Sequence, residues 1–377
     1  RVLALDPAYM DEEQGSAWLL LGRMVTRQRG KEAGLRSYLT GLGTLKLHGG
    51  FDPLLGEVCV QLIIDLEKVS YYQLATETFY QVLQQADARR HQGLLRRLYG
   101  QSAFLLPKEE QRRIERLLEG GRGSAHPGRV LERYWRGEDP TPATILNERL
   151  IEHLQRVGYA VKWYPAGLAR GFDDRGMIYV RLGKPGGKVS AGVTGIDPKR
   201  NYNFLPHEVW FYEQIASDLF FPFVKSQSKR GYVLVDGIEE AIPKPRASNM
   251  WRIKLFAETP DFDSRLLFYN KLATSSRVFY DRVQELESLR SKYPPVIYGP
   301  YLNGRAVTAM EYFDHKSKIR RRYLTPKAVS EVLSDIRELP VAVRTARFLG
   351  EAGGTRLESY LGIRRQELIP EVAGRGS

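Results

Sequence analysis

The sequence predicts a multidomain α+β protein: an N-terminal α-helical repeat-like region, a small central α+β domain with short antiparallel strands, and a C-terminal long helix followed by β-hairpins. Three observations carry this. Apolar side chains recur at spacings of three and four through residues 1–120, the signature of amphipathic helices. Between residues 172 and 235, short runs alternate on a period of two and are bounded by Gly, Pro and Asp, as half-buried strands are. The glycine-dense stretch Gly120-Gly-Arg-Gly-Ser-Ala-His-Pro-Gly128 lacks apolar anchors and reads as a linker. The expected divisions are 1–120, 129–258 and 259–377, the last holding the possible start of a further β domain.

Composition bounds the function classes. With 377 residues, 42% hydrophobic and 27% charged, the chain can bury proper cores and is too apolar for disorder. Lys and Arg exceed Asp and Glu by 57 to 44, giving +13, which serves either solubility or an anionic neighbour such as nucleic acid or anionic lipid. The single cysteine, Cys59, lies in the apolar run Val58–Ile64 and reads as a buried small hydrophobe, excluding a disulfide framework. No run approaches ~18 uninterrupted apolar residues, so no transmembrane helix is expected. The chain opens on Arg1, and a leader or further N-terminal sequence is an open expectation.

In the N-terminal region Trp18, Leu21, Gly22, Val25, Gly34, Tyr38 and Gly41 fall on the offsets of a tetratricopeptide repeat, small where two helices approach and large where they interlock. This resembles one degenerate repeat, with Ala4-Leu-Asp-Pro7 similar to the tail of a preceding one and Lys46 where a closing proline is usual. Such arrays stack into surfaces that bind other proteins; the alternative is a helical bundle capping the next domain. The clusters Arg89-Arg90-His91 and Arg96-Arg97 read as a solvated face.

Next, Thr141-Pro142 signals a helix running from Ala143 to Tyr159. Ile178, Val180 and Leu182 alternate with Met177, Tyr179 and Arg181 between Gly176 and Gly183, predicting a strand entered through the charged turn Asp173-Asp174-Arg175. A polar loop is expected over Lys184–Asn203, then strands at His207–Tyr212, Leu219–Val224 and Gly231–Val235, with Ser226–Arg230 as a hairpin turn. Tyr179, Trp210, Phe211, Phe221 and Tyr232 would supply an aromatic core.

This region resembles the bacterial GWxTD-domain proteins. The shared pattern is Asp174-Arg175-Gly176, Ile178-Tyr179-Val180-Arg181, Gly183 and Pro185, then Glu208-Val209-Trp210 with Tyr212; Asp139-Pro-Thr-Pro142 and Asn147-Glu-Arg149 are similar to the family's lead-in. At the eponymous positions the chain instead has Arg170, Gly171, Phe172 and Asp173, which marks a divergent branch. The resemblance implies a bacterial protein in which such a domain joins helical repeats and a β-rich tail, and it carries over no established activity.

The residues themselves propose a role for the motif. Asp173 and Asp174 can bond the turn's own amides, and Arg175 can pair with Glu208 on a neighbouring strand. The alternative is a ligand-gripping site.

The expected catalytic arrangements fail on spacing. Lys184-Pro-Gly-Gly-Lys188 has Val189 where a phosphate loop needs Ser or Thr, and His207-Glu208 has Phe211 where a zinc-protease motif needs histidine. Ser226-Gln-Ser-Lys229 lacks the companions of a serine–lysine pair, and Asp314-His315 reads as a loop pair. Asp261 and Asp263 beside Pro260 read as a helix start. Six scattered histidines and one cysteine give no metal spacing. The sequence therefore assigns no catalytic residue, metal ligand or cofactor.

In the C-terminal third a long helix is expected over Asp263–Tyr293, ended by Pro294-Pro295, then a hairpin turning at Asn303-Gly304. Lys316, Lys318, Arg320, Arg321 and Arg322, with Tyr312, Phe313 and Tyr323 nearby, would contact a polyanion or form a solvated connector. A short helix from Thr325-Pro326 to Glu338 and strands at Pro340–Leu349 and Thr355–Ile363 complete the reading. A lone hairpin is unstable in water, so this one needs partners from the rest of the chain, from a continuation of it, or from another molecule.

Three functions follow as expectations. The first is a non-catalytic structural or protein-interaction component of a bacterial envelope-associated (periplasmic or extracellular) or multi-subunit assembly, meeting other subunits through the helical region and the C-terminal hairpin. The second is a nucleic-acid or other polyanion binder, and the third an enzyme of unrecognised type centred on Asp173, Asp174, Arg175 and Glu208.

Overall fold

The computed structural model describes residues 2–11, 15–120, 126–191, 204–216, 219–226, 231–242, 262–274, 277–292, 323–324, 341–349 and 355–363. The chain is mixed α+β and divides into two units, residues 1–326 and 327–377.

The first unit opens with α1 (Val2–Leu5) and the short ribbon of β1 (Met10–Asp11) and β2 (Gly15–Ser16). Helices α2 (Ala17–Arg29), α3 (Lys31–Leu47), α4 (Pro53–Asp65), α5 (Tyr72–Gln85), α6 (Gln92–Ser102), α7 (Lys108–Leu118) and α8 (Pro127–Gly137) follow. Their facing stripes make one core that includes Leu19, Tyr38, Leu55, Ile63, Phe79, Leu95, Ile114 and Trp135. Small residues set the spacing of the first pair: a Cβ on Gly22 would lie 2.0 Å from the Tyr38 ring, and one on Gly41 2.5 Å from Trp18. The small-against-large interlock expected of the offsets is thus present between α2 and α3. Asp52 caps α4 through the Leu54 and Leu55 amides, with Pro53 in the first turn, where no donor is lost.

Helix α9 (Glu148–Trp163) carries the chain from this core into the next. Its first half, Leu150 and Ile151, belongs to the helical core; Val157 and Ala160 belong to a second core with Phe172, Ile178, Trp210, Phe221 and Phe223. The helix starts five residues later than the Thr141-Pro142 signal predicts. Asp139 draws the Thr141 amide into a local turn (2.9 Å), whereas Asn147 is fully buried and caps the Leu150 amide at 2.8 Å.

The strand expected over residues 177–182 is instead helix α10 (Asp174–Leu182). Asp173 caps it by accepting from the Arg175 and Gly176 amides, and Gly183, at φ 78°, closes it with its amide on the Tyr179 carbonyl. In so short a segment, period-two alternation and one buried helical face mark nearly the same positions, and Ile178 and Val180 tilt propensity towards strand.

The sheet has the order β3 (Gly187–Ala191), β4 (His207–Phe211), β5 (Phe220–Lys225), β6 (Tyr232–Leu234), all antiparallel. The first of these falls where only a polar loop is expected; β4 and β6 lie within the predicted spans, and β5 runs one residue past its own, to Lys225. Both faces are covered. Trp210, Phe221 and Phe223 pack towards α9 and α10, and Val209, Phe211, Phe220 and Val224 pack with α11 (Phe262–Ala273) and α12 (Arg277–Lys292). Two-sided burial explains the unbroken apolar run Leu219–Val224. Within the span of the long helix predicted from Asp263 the described residues form these two helices, the first followed by a turn residue, Thr274.

In the second unit β7 (Val341–Leu349) and β8 (Thr355–Ile363) pair antiparallel, Val341 opposite Ile363 through Leu349 opposite Thr355, within a residue of the expected bounds. The expected Ser226–Arg230 turn (past Ser226), the Asn303-Gly304 hairpin, the Thr325–Glu338 helix and Lys316, Lys318, Arg320, Arg321 and Arg322 lie outside the described residues. Among the described residues no helix is long and apolar enough to cross a membrane.

Candidate functional site

Among the described residues of the first unit, the charged entrance of α10 and a groove between α4 and α9 both gather chemistry-bearing side chains. At the first, the Asp173 side chain is fully buried and that of Arg175 only 14% exposed. The Arg175 guanidinium bridges two carboxylates, giving Nη2 to Asp173 Oδ2 (2.7 Å) and Nη1 to Glu208 Oε1 (2.6 Å). It also lies 3.8 Å above the Tyr232 ring and 5.1 Å from that of Tyr164. Burial works against its charge, but the hydrogen bonds and charge of Asp173, then of Glu208, outweigh it and hold the pKa above the usual arginine value. The other Glu208 oxygen accepts from the buried Trp210 Nε1 (2.9 Å). The pairing read from the sequence is therefore present.

The two aspartates also reach across to the sheet. Asp173 Oδ2 accepts from the Tyr232 amide (3.0 Å), and Asp174 Oδ2 from the Leu234 amide (2.9 Å). Strand β6 ends the sheet, so the adjacent carboxylates occupy two donors of an edge that would otherwise template another strand. Asp174 is held in turn by Arg170 Nη2 at 2.5 Å. Gly231 makes the approach feasible: it has φ 76°, and a Cβ there would lie 2.8 Å from Asp173 Oδ2.

The remaining motif residues serve the same frame. Gly176 admits the Phe172 ring, 2.6 Å from where its Cβ would stand. The Tyr212 hydroxyl donates to the Gly183 carbonyl (2.9 Å), and Pro185 is buried beside that turn. Arg181 donates to the Phe104 carbonyl, tying α10 to the helical region, and burial lowers its pKa to about 10. Tyr179 stacks on Tyr159 with centroids 4.2 Å apart. Lys188, on β3, donates to the Tyr164 hydroxyl (2.7 Å) and sits 4.2 Å above Trp210; burial lowers its pKa against the pull of Glu208. Among the described residues no His, Cys, Asp and Glu gather as a metal-binding group.

The second place is a groove of about 960 Å³ walled by α4 and α9. Residues Glu152, Gln155, Tyr159 and Trp163 recur at three and four along α9 and line it together with Gln61, Asp65 and Glu67. Trp163 is 56% and Tyr159 38% exposed. Arg156 is anchored to Glu152 and to the Val180 and Arg181 carbonyls at 3.2 Å, so the wall is joined to the end of α10. Asp173, Asp174, Arg175 and Glu208 are not part of this lining. Sequence reasoning missed the groove, although the 152-155-159-163 spacing was available as a signal.

In comparison with known proteins, the chain matches no protein-family model, no characterised protein and no solved structure.

Proposed function

We propose that this protein is a non-catalytic interaction component of a multi-subunit assembly, docking a partner in the groove between α4 and α9. The observation that carries the reading is the face of α9: Tyr159 and Trp163, one turn apart, remain exposed on it while Leu150, Ile151, Val157 and Ala160 fix the same helix in two cores. A rigid wall bearing exposed aromatics costs little ordering entropy on binding and is the usual composition of an interface hot spot. Placement at a bacterial envelope rests on the resemblance to GWxTD-domain proteins, and a role for the hairpin β7–β8 in subunit contact rests on the marginal stability of an isolated pair of strands.

The engagement of Asp173, Asp174, Arg175 and Glu208 with main-chain amides, one another and Trp210 supports an architectural role for that cluster over a reactive one. The polyanion reading draws on the +13 charge and on the basic segment Lys316–Arg322, which lies outside the described residues.

The test is native purification of the tagged protein from its own organism, with quantitative comparison of wild type and Trp163→Ala. Discrete partner proteins in fixed ratio, lost from the variant at unchanged melting temperature, are expected. Absence of any stoichiometric partner, or the same set retained by the variant, would overturn the reading.

A further inference from the structure

Helix α2 leaves one face in water, and that face carries apolar and cationic side chains but no acid. Leu20, Arg23, Met24 and Arg27 follow one another at spacings of three, one and three, so they share a side of the helix. All four are exposed, Leu20 by 40% and Met24 by 59%. On the opposite side Leu19 and Gly22 are buried, Gly22 beneath the Tyr38 ring of α3, which fixes the outward face as outward. We propose that this face docks the protein on an anionic lipid bilayer, with Leu20 and Met24 entering the interface and Arg23 and Arg27 on lipid phosphates.

The charges around the helix support this. Together α2 and α3 hold six cations, Arg23, Arg27, Arg29, Lys31, Arg36 and Lys46, against one acid, Glu32. Lys31 is taken by Asp65 and Glu32 by Lys68, each at 2.7 Å. Glu57, which feels the charge of Arg23, is bound by Arg97 at 3.0 Å. The other five cations make no ion pair among the described residues.

The nearby acids lie elsewhere. Asp52 is buried and accepts from the Ser16, Leu54 and Leu55 amides. Asp6 accepts from the Ala8 amide, and Asp11 stands on β1, both ahead of the helix, whereas Arg23 and Arg27 occupy its middle and last turn. Glu12 and Glu13 also precede the helix in sequence and lie outside the described residues.

Single exposed apolar side chains are ordinary. Two of them one turn apart, set among unpaired arginines, match the layered chemistry of a bilayer surface, where phosphates stand directly above acyl carbon. Met10, 46% exposed, pairs with Ser16 just ahead of the helix and adds apolar surface beside its first turn. A nucleic acid would meet the arginines and leave the apolar pair in water, so the composition favours lipid.

The experiment measures co-sedimentation of the full chain with phosphatidylcholine vesicles, with and without about one-third phosphatidylglycerol, at physiological salt. Binding to the anionic vesicles only is expected. Arg23→Gln/Arg27→Gln should weaken it about 30-fold, at about fivefold per arginine, and Leu20→Gln/Met24→Gln at least about tenfold, all at unchanged melting temperature. Arg112→Gln/Arg116→Gln on α7 removes the same charge from another exposed helix face and should weaken binding less than twofold. No vesicle binding, equal binding to uncharged vesicles, or an equal loss in the α7 variant would overturn the inference. So would a DNA duplex that binds more tightly than the vesicles and depends on the same arginines. The surface goes beyond the docking groove and is separate from it: Trp163→Ala should bind vesicles as wild type does. Vesicle binding lost from Trp163→Ala and kept by the α2 variants would place the lipid contact elsewhere and overturn the inference, whereas partner loss from Trp163→Ala tests only the docking role.

Discussion

Replacing Asp173 by alanine removes four things at once. The cap of α10 goes, at about 1 kcal/mol. The Tyr232 amide on β6 is left without its acceptor, at about 1–3 kcal/mol. Arg175 loses one of its two carboxylates; a fully broken buried pair costs about 3–5 kcal/mol, and Glu208 retains part of that. Gly231 loses the partner its backbone approaches. These terms share atoms and do not add, so the expected loss is on the order of 4 kcal/mol, a large share of the ~5–15 kcal/mol available to a folded domain. Asp173→Asn keeps an acceptor for the cap but turns an NH₂ towards Arg175 and the Tyr232 amide, and is expected to cost about half to three-quarters as much. Because the unit has several cores, the assay is native-state hydrogen exchange at the Tyr232 and Leu234 amides rather than a single melting curve. At about 1.4 kcal/mol per factor of ten, Asp173→Ala should speed exchange at Tyr232 by about 100-fold or more. Protection unchanged within threefold at both amides would refute the reasoning.

Other perturbations follow from the same contacts. Asn147 donates to the Tyr80 hydroxyl (2.9 Å) and the Trp135 carbonyl (2.6 Å) while capping α9, so Asn147→Ala should cost about 3 kcal/mol in chemical denaturation. His153 is buried against Trp135, and burial, then the charges of Arg149 and Arg156, lower its pKa from 6.5 to about 3. The unfolded chain therefore takes up a proton near pH 6.5 that the folded chain refuses. That stability is fully present above pH 6.5 and is lost as pH falls towards 3, with on the order of 3 kcal/mol gone by about pH 4.5. His153→Leu should flatten this acid limb in pH-dependent melting, whereas an unchanged limb would exclude His153 as its source. Gly22→Ala would place a methyl group inside the Tyr38 ring and should lower stability by about 1–3 kcal/mol or more through separation of α2 and α3, read by calorimetry.

What the sequence made legible was local chemistry. The Arg175–Glu208 pair, the use of Asp173 on its own turn's amides, three of the four central strands and the bounds of β7 and β8 follow from residue type and alternation. The element carrying the motif does not, because nine residues with Ile178 and Val180 satisfy both periods and only the cap geometry decides for a helix. The start of α9 was misplaced because Thr141-Pro142 has the right residues, while the buried partners of Asn147 come from α5 and α8, remote in sequence. The edge capping of β6 was hidden for the same reason: Asp173 and Tyr232 stand 59 positions apart. The groove required knowing that α4 and α9 lie side by side, which no local pattern states.

The proposed division of labour sets a charged cluster that holds the fold against a groove that docks a partner. Its most direct test is site-specific photo-crosslinking in the organism of origin, with the reactive residue at Gln155 in the groove or at Lys188 beside Trp210 and Glu208. The account predicts a discrete, reproducible adduct from Gln155 and none from Lys188; an adduct from Lys188 with none from Gln155 would contradict it.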